Sequence, residues 1–178
     1  GYHLYTRLLQ TKFLHEAINN KKINFSKLTG EVCEHAKELL FHHFSHDKIF
    51  SSFNLDGEIL RELDSSVLLG LSHVDYDLPD LNIHDTRIQD YANNLVDRFK
   101  NEYPICLDLN IPFLGRYSYD AYCEGNPWII TTLSLFQYWI KTNKLIDHQN
   151  EFKSFNNFLK NEKNMDLAEQ IDKKYRRK

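Results

Sequence analysis

Trp128 through Ile140 is the stretch that most narrows what this chain can fold into. With Asn126 and Pro127 ahead of it, it is a nearly all-apolar segment of roughly 15 residues, short of the ~18 or more that a bilayer span requires. A helix that is apolar on every side must be surrounded by other protein elements, so it predicts a buried core helix and demands amphipathic partners around it. Asn126 and Pro127 just ahead of it suit the cap and first turn of that helix.

The partners are legible as helical periodicity. From about His3 to Asn20, Leu4, Leu8, Leu9, Phe13, Leu14, Ala17 and Ile18 recur at helical spacing, which predicts an amphipathic helix with a wide buried face. The pattern breaks at Asn19-Asn20-Lys21-Lys22. Ser26 and Thr29 mark a new start, and a second helix runs to about Phe44 through Val32, Ala36, Leu39, Leu40 and His43. His84 and Asp85 open the clearest helix, with Ile88, Tyr91, Ala92, Leu95, Val96 and Phe99 in one stripe. It ends ahead of Pro104, whose predecessor is pushed out of helical geometry. A loop then leads to Gly115. From Asp147 on, Phe152, Phe155, Phe158 and Leu159 predict one more amphipathic helix, followed by a charged helical tail over about 163–178.

Between the helices, Lys48 to Glu58 mixes β-formers with an Asp56-Gly57 turn signal and predicts a short extended piece or hairpin. Asp64-Ser65-Ser66 can cap the brief run Val67 to Leu71. Asp75 to Asp80 is an acidic loop that lacks the ligand spacing and glycine of a calcium loop, and reads as a solvated connection. Helices joined by short or medium loops, with no repeat and no interior linker, make the fold class all-α in a single domain, 1–178.

Bulk properties exclude several classes of function. A net charge of −3 gives no general attraction for polyanions, so nucleic acid is not implied, and the basic end Lys173-Lys174-Tyr175-Arg176-Arg177-Lys178 reads as a solvated tail. No apolar run is long enough to imply a membrane partner. Cys33, Cys106 and Cys123 are odd in number and lack Cys-x-x-Cys spacing, so at most one disulfide can form and no zinc site is indicated. His35, His42, His43 and His46 cluster at a helix end, with His42 and His46 on one face. No acid or cysteine stands beside them at ligand spacing, and histidine is favoured at a helix C-terminus, so no metal or cofactor is expected.

Function speaks most clearly from Leu114 to Trp128. Arg116 and Asp120 can offer charge-assisted, bidentate partners to sugar hydroxyls, while Tyr122 and Trp128 can offer flat surface to sugar C–H faces. The competing reading is a helix-entry loop with a structural ion pair.

Gly-Arg-Tyr-x-x-Asp-x-Tyr followed by Gly-Asn-Pro-Trp, here Gly115 to Tyr122 and Gly125 to Trp128, resembles the glucoamylase family of inverting glycoside hydrolases. His3-Leu4-Tyr5-Thr6-Arg7-Leu8 and Leu63 to Gly70 extend the resemblance, which covers about residues 1–145. It implies part of an (α/α)6 barrel with roughly half the helices present, since twelve helices would consume more than 178 residues at ~10–14 residues each plus loops. It also implies release of glucose from the non-reducing ends of α-1,4-glucans, with an α-glucan or maltooligosaccharide as partner.

The resemblance makes Arg116, Asp120, Tyr122 and Trp128 substrate-binding residues. It places the family's general acid in a Trp-Glu-Glu segment ahead of the first helix and its base in a Ser-Glu-Gln segment near the barrel's end. Neither is present here, and Ala168-Glu169-Gln170 shares only two letters with the second. No catalytic residue is therefore assigned within the chain; Gly1-Tyr2-His3-Leu4 reads like the interior of a sequence, with processing, truncation, an incomplete chain and an inactive remnant all open, and if the chain is an interior portion the remainder of a parent domain is a further expected partner. Ser118 and Tyr119 also replace the family's usual Pro-Glu. Two other readings stay open: a non-catalytic carbohydrate-binding or regulatory module of the same fold, and a helical protein-interaction domain.

Overall fold

The computed structural model describes residues 1–19, 28–161 and 169–173. Among these residues the fold is all-α apart from one small antiparallel sheet. In order, the elements are β1 (Tyr2–His3), α1 (Leu4–Asn19), α2 (Leu28–Phe41), β2 (Ser52–Phe53), β3 (Ile59–Arg61), α3 (Ser66–His73), α4 (Thr86–Glu102), α5 (Pro104–Leu109), α6 (Ile129–Lys141) and α7 (Gln149–Asn161), with 3-10 turns at Tyr122–Gly125 and Leu145–His148. The helix start expected at Ser26, the connection at 20–22, and Ala168 and 174–178 of the tail lie outside the described residues.

Packing follows the apolar stripes. α1 lies between α2 and α3, and α3 in turn packs on α6, so α1, α3 and α6 form a row. α7 covers α6 through aromatic contact, with the Phe136 and Phe155 rings stacked 5.0 Å apart and Phe113 edge-on to Phe155 and Phe158. The α4 stripe is buried as expected: Ile88, Tyr91, Ala92, Leu95 and Phe99 all lie inside. The larger of these, Ile88, Leu95 and Phe99, each contribute roughly 1.5–3 kcal/mol of transfer free energy. Asp85 caps α4 by accepting the Arg87 N–H at 2.8 Å, and Asp64 serves the start of α3 by accepting the Ser66 N–H at 2.9 Å.

The sheet gathers helix starts at one end. β2 is central, pairing Phe53 with Tyr2 and Ser52 with His3 on one side and joining β3 on the other. The β2–β3 turn is closed by Asn54 Oδ1, which accepts from the Asp56 and Glu58 amides. β1 runs straight into α1, and β3 leads into α3. The Tyr91 hydroxyl locks that passage by accepting the Asp64 N–H at 2.7 Å and donating to the Asp64 carbonyl. Toward the other end the acidic loop meets a lysine from each of three helices, Lys12–Asp77, Lys37–Asp80 and Lys141–Asp75. These pairs are exposed and contribute at most about 1 kcal/mol each.

Four local expectations change. α6 begins at Ile129, not at Asn126 and Pro127, because Trp128 is extended and its N–H is held by the Leu114 carbonyl at 2.8 Å. The loop between Pro104 and Gly115 contains α5, a helix too short to show periodicity, with Pro104 in its first turn. The buried face of α1 is narrower than its apolar stripe, since Phe13 is 69% exposed. Of the tail expected as helix over 163–178, Glu169 to Lys173 are not helical, and their backbone is taken up by the Pro127 to Ile129 segment and by Ile105.

Candidate functional site

The loop from Gly115 to Trp128 closes on itself before α6 begins. Leu114 and Trp128 form an antiparallel bridge, and the two threonines of the first α6 turn reinforce it. Thr131 Oγ1 donates to the Leu114 carbonyl at 2.8 Å, and Thr132 Oγ1 accepts the Leu114 N–H at 3.0 Å. The loop is therefore mounted on fully buried backbone at Phe113 and Leu114. Ser65 at the start of α3 donates its N–H to the Arg116 carbonyl at 2.7 Å, which carries the loop to the end of the molecule where the sheet sits.

Tyr103 props the loop from below by donating its hydroxyl to the Gly125 carbonyl at 2.7 Å. Gly115 is needed for that arrangement, because a Cβ there would overlap the same hydroxyl. Gly125 has φ +68 and follows Cys123 and Glu124, which are also left-handed at φ 46 and 61. Two consecutive non-glycine residues in that region store backbone strain of the order of 1–3 kcal/mol each, a cost that the surrounding contacts must sustain.

Within this frame the sequence-predicted residues meet. Arg116 donates to Asp120 through both arms of its fork, Nε to Oδ2 at 2.6 Å and Nη2 to Oδ1 at 2.6 Å. Asp120 Oδ1 also accepts the Tyr122 N–H at 3.0 Å. Three rings surround the guanidinium, with Tyr122, Trp128 and Tyr117 centred 5.0, 5.2 and 5.4 Å from its central carbon. Tyr122 and Trp128 lie 6.0 Å apart at a tilt, forming one aromatic wall.

Burial divides the pair unequally. The Asp120 side chain is 2% exposed, whereas that of Arg116 is 36% exposed. Burial alone would raise the Asp120 carboxyl, but the Arg116 hydrogen bonds, the Tyr122 amide and the charges of Arg116 and Arg61 outweigh it and hold it below its usual range. The hydrogen bond to Asp120 raises Arg116 in turn. Asp120 is thus a charged group held on its arginine, and Arg116 Nη1 forms no hydrogen bond among the described residues.

Residues from other elements join the site without any signal in the local sequence. Arg61 of β3 lies over the Tyr117 ring at 3.8 Å and approaches Asp64 at 3.8 Å, and Ser118 donates to Glu102 at the end of α4 at 2.8 Å. A cavity of about 390 Å³ opens between Leu60–Leu63, Arg98, Tyr117 and Ser118. Glu124 and Glu169, the acids nearest the motif and the tail, are both exposed. The Glu124 carbonyl accepts Lys173 Nζ, and the Glu169 carbonyl accepts the Ile129 N–H at 3.1 Å.

Among the described residues no group of three or more His, Cys, Asp or Glu side chains is placed to hold a metal ion, and no helix is long and apolar enough to cross a membrane. Cys33, Cys106 and Cys123 are free thiols, and burial raises the Cys106 thiol to about 12. His43 is buried, its pKa lowered by that burial, and its Nδ1 donates to the Phe50 carbonyl at 2.8 Å.

No family model matches the chain, and no solved structure matches it. Over 138 residues, 76% of its length, it is 29% identical to an uncharacterised glycosyl hydrolase of Methanocaldococcus jannaschii. The chain spans about a fifth of that relative, 20% of its length. It is similar to a glycosyl hydrolase at that level.

Proposed function

We propose that this chain is the sugar-gripping portion of a glucoamylase-type glycoside hydrolase acting on the non-reducing ends of α-1,4-glucans. The observation that carries the reading is the Arg116 fork. It is fixed from behind by a buried carboxylate, walled by three aromatic rings, and keeps Nη1 for an incoming hydroxyl. Asp120 positions the fork, Arg116 binds vicinal hydroxyls, and Tyr122 with Trp128 stacks on the sugar's C–H face.

The architecture supports the same reading. α1, α3 and α6 lie side by side and alternate in sequence with α2, α4 and α7, the order that inner and outer helices take in half of an (α/α)6 barrel. α6 also leaves Ile130, Leu133 and Ile140 at 47, 44 and 51% exposure along one edge, an apolar stripe of the kind that a flanking hairpin covers. In this proposal the general acid and base, both needed for inversion, come from outside residues 1–178.

Calorimetric titration of the chain with maltose and with cellobiose tests the reading. Maltose binding that Arg116→Lys weakens by about 30-fold or more, with no glucose released, is the expected result. A lysine in its place cannot hold Asp120 through two parallel bonds and also offer an N–H to the sugar in the same geometry, a loss of roughly 2 kcal/mol. Maltose affinity unchanged in Arg116→Lys, together with a lower melting temperature, would instead make the pair a structural one.

A further inference from the structure

A cavity of about 280 Å³ lies between the start of α1, the end of α2 and the β2–β3 turn, and no residue of the Arg116 loop lines it. Its walls are fixed by local bonds. Past the end of α2 at Phe41, the Phe50 N–H donates to the His43 carbonyl at 2.9 Å, and His43 Nδ1 donates to the Phe50 carbonyl at 2.8 Å. Phe53 of β2 packs on both neighbouring histidines, its ring centre 5.0 Å from that of His43 and 5.7 Å from that of His42. The turn that Asn54 closes brings Leu55 and Asp56 to the same cavity. Arg7 enters from α1, its guanidinium carbon 4.9 Å from the Tyr2 ring centre.

The polar groups of this lining are left unmatched. His43 is only 1% exposed, and with its Nδ1–H committed to a carbonyl the lone pair sits on Nε2, to which no described group donates. Burial lowers its pKa, which keeps the ring neutral and Nε2 an acceptor at pH 7. A buried acceptor without a donor calls for one from whatever fills the cavity. Arg7 gives Nη1 to Gln10 at 2.8 Å and has no carboxylate partner among the described residues, and the Asp56 carboxylate has no cation among them. One positive and one negative group thus line a single small cavity without pairing, beside an apolar wall of Leu39, Phe53 and Leu55. A neutral sugar would leave both charges unmatched. A simple anion would satisfy Arg7 and leave Asp56 and His43 Nε2 without a donor. A zwitterion with an apolar side chain matches all of them, and the volume lies near the lower bound of about 300 Å³ for small-molecule sites.

We infer that this cavity binds a free amino acid with an apolar side chain. The carboxylate pairs with Arg7, the ammonium donates to Asp56 and His43 Nε2, and the side chain packs against Leu39, Phe53 and Leu55. This site is separate from the proposed sugar grip and stands or falls without it.

Titration calorimetry on the 178-residue chain tests the inference with three probes: L-phenylalanine, phenylacetate, which lacks the ammonium, and phenethylamine, which lacks the carboxylate. Each truncated probe is expected to bind about tenfold more weakly than L-phenylalanine, the factor that one lost charge-assisted contact gives. Arg7→Gln is expected to cost L-phenylalanine about tenfold and leave phenethylamine unchanged, and Asp56→Asn to cost it as much and leave phenylacetate unchanged. Asp56 is exposed on a turn and Arg7 half-buried, so both variants are expected to fold. The three probes on the unaltered chain decide the matter even where a variant does not. The ring-nitrogen resonance of His43 Nε2 is expected to shift on addition of L-phenylalanine, which locates the binding. No binding of L-phenylalanine, equal affinity for the three probes, affinity indifferent to both substitutions, or binding that leaves the His43 resonance in place would each overturn the site.

Discussion

Two arginine–aspartate pairs in this molecule have nearly the same geometry and opposite uses. Arg87 grips Asp85 through Nε at 3.0 Å and Nη2 at 2.6 Å, much as Arg116 grips Asp120. Arg87, however, also donates Nη1 to the Ser45 carbonyl at 2.7 Å, while Asp85 caps α4, so both arms of the fork and the carboxylate are engaged in joining α4 to the end of α2. Around Arg116 no described carbonyl takes Nη1, and three rings stand where Arg87 has one, Phe44. A guanidinium–carboxylate pair is therefore no mark of function. The proposed function rests instead on the donor left over at Arg116.

The largest break in the comparison is expected from Asp120→Ala. It strips the buried partner from a guanidinium that remains, at a cost of about 3 kcal/mol, the lower end for a broken buried pair because water reaches Arg116 from one side. Sugar affinity should fall with it, since the fork loses its orientation. Asp85→Ala should cost roughly 1–2 kcal/mol, chiefly as a lost helix cap, and leave sugar affinity untouched. Urea unfolding and maltose titration on both variants check this. Equal stability losses and an unaltered affinity in Asp120→Ala would erase the distinction.

Trp128→Ala tests how far the aromatic wall belongs to the fold. Its backbone closes the loop against Leu114 and Gln170, so the side chain alone is removed. Loss of a large, half-buried ring costs about 3 kcal/mol, divided between stability and maltose binding. A loss confined to stability would reduce the ring to packing.

How much of this could be read from sequence follows the range of the interactions. The α4 stripe is local, and Ile88 to Phe99 are buried where periodicity puts them. Arg116 and Asp120, in a loop, read instead as two sugar ligands, with an ion pair as the competing reading. Asn126 and Pro127 look like a helix start by every local rule, yet the helix begins at Ile129, because a carbonyl fourteen residues back holds Trp128 extended. Arg61 and Tyr103 reach the site from elements remote in sequence, and nothing near the motif announces them. Composition could nominate Asp120 as a sugar ligand, but it could not show that both its oxygens bond Arg116 and that its side chain is 2% exposed.

A matched exchange sharpens the two pairs further. Arg116→Lys should reduce maltose affinity by about 30-fold, roughly 2 kcal/mol, and shift the melting temperature little, whereas Arg87→Lys should lower the melting temperature and leave affinity unchanged. Thermal melts with and without maltose read both quantities from the same samples. The reversed pattern would assign the structural role to Arg116.

The smallest effect is expected in pH dependence, and it separates the two aspartates from His43. Both carboxyls are lowered in the folded protein: the Arg87 hydrogen bond leads at Asp85, and at Asp120 burial is the largest single effect but is outweighed by the Arg116 bonds, the Tyr122 amide and the Arg116 and Arg61 charges together. A lowered carboxyl binds fewer protons folded than unfolded, so its stabilisation is complete above the unfolded pKa of about 3.9 and is lost as pH falls through the folded value. His43 is lowered too, chiefly by burial. For a base that means the fold prefers the neutral ring, so stability declines as pH drops below the unfolded value of about 6.5, well before either aspartate is protonated. Melting temperature against pH should therefore fall in two stages, one beginning below ~6.5 and one below ~4. His43→Phe should flatten the first, at a cost near 1 kcal/mol at neutral pH for leaving the Phe50 carbonyl unpaired. Asp120→Asn should flatten the second more than Asp85→Asn does, because at 2% against 22% side-chain exposure water screens its pair less. A second stage equally sensitive to both aspartates would mean that the cage is as open to solvent as the α4 cap, and a guanidinium held no better than Arg87 could not select a sugar.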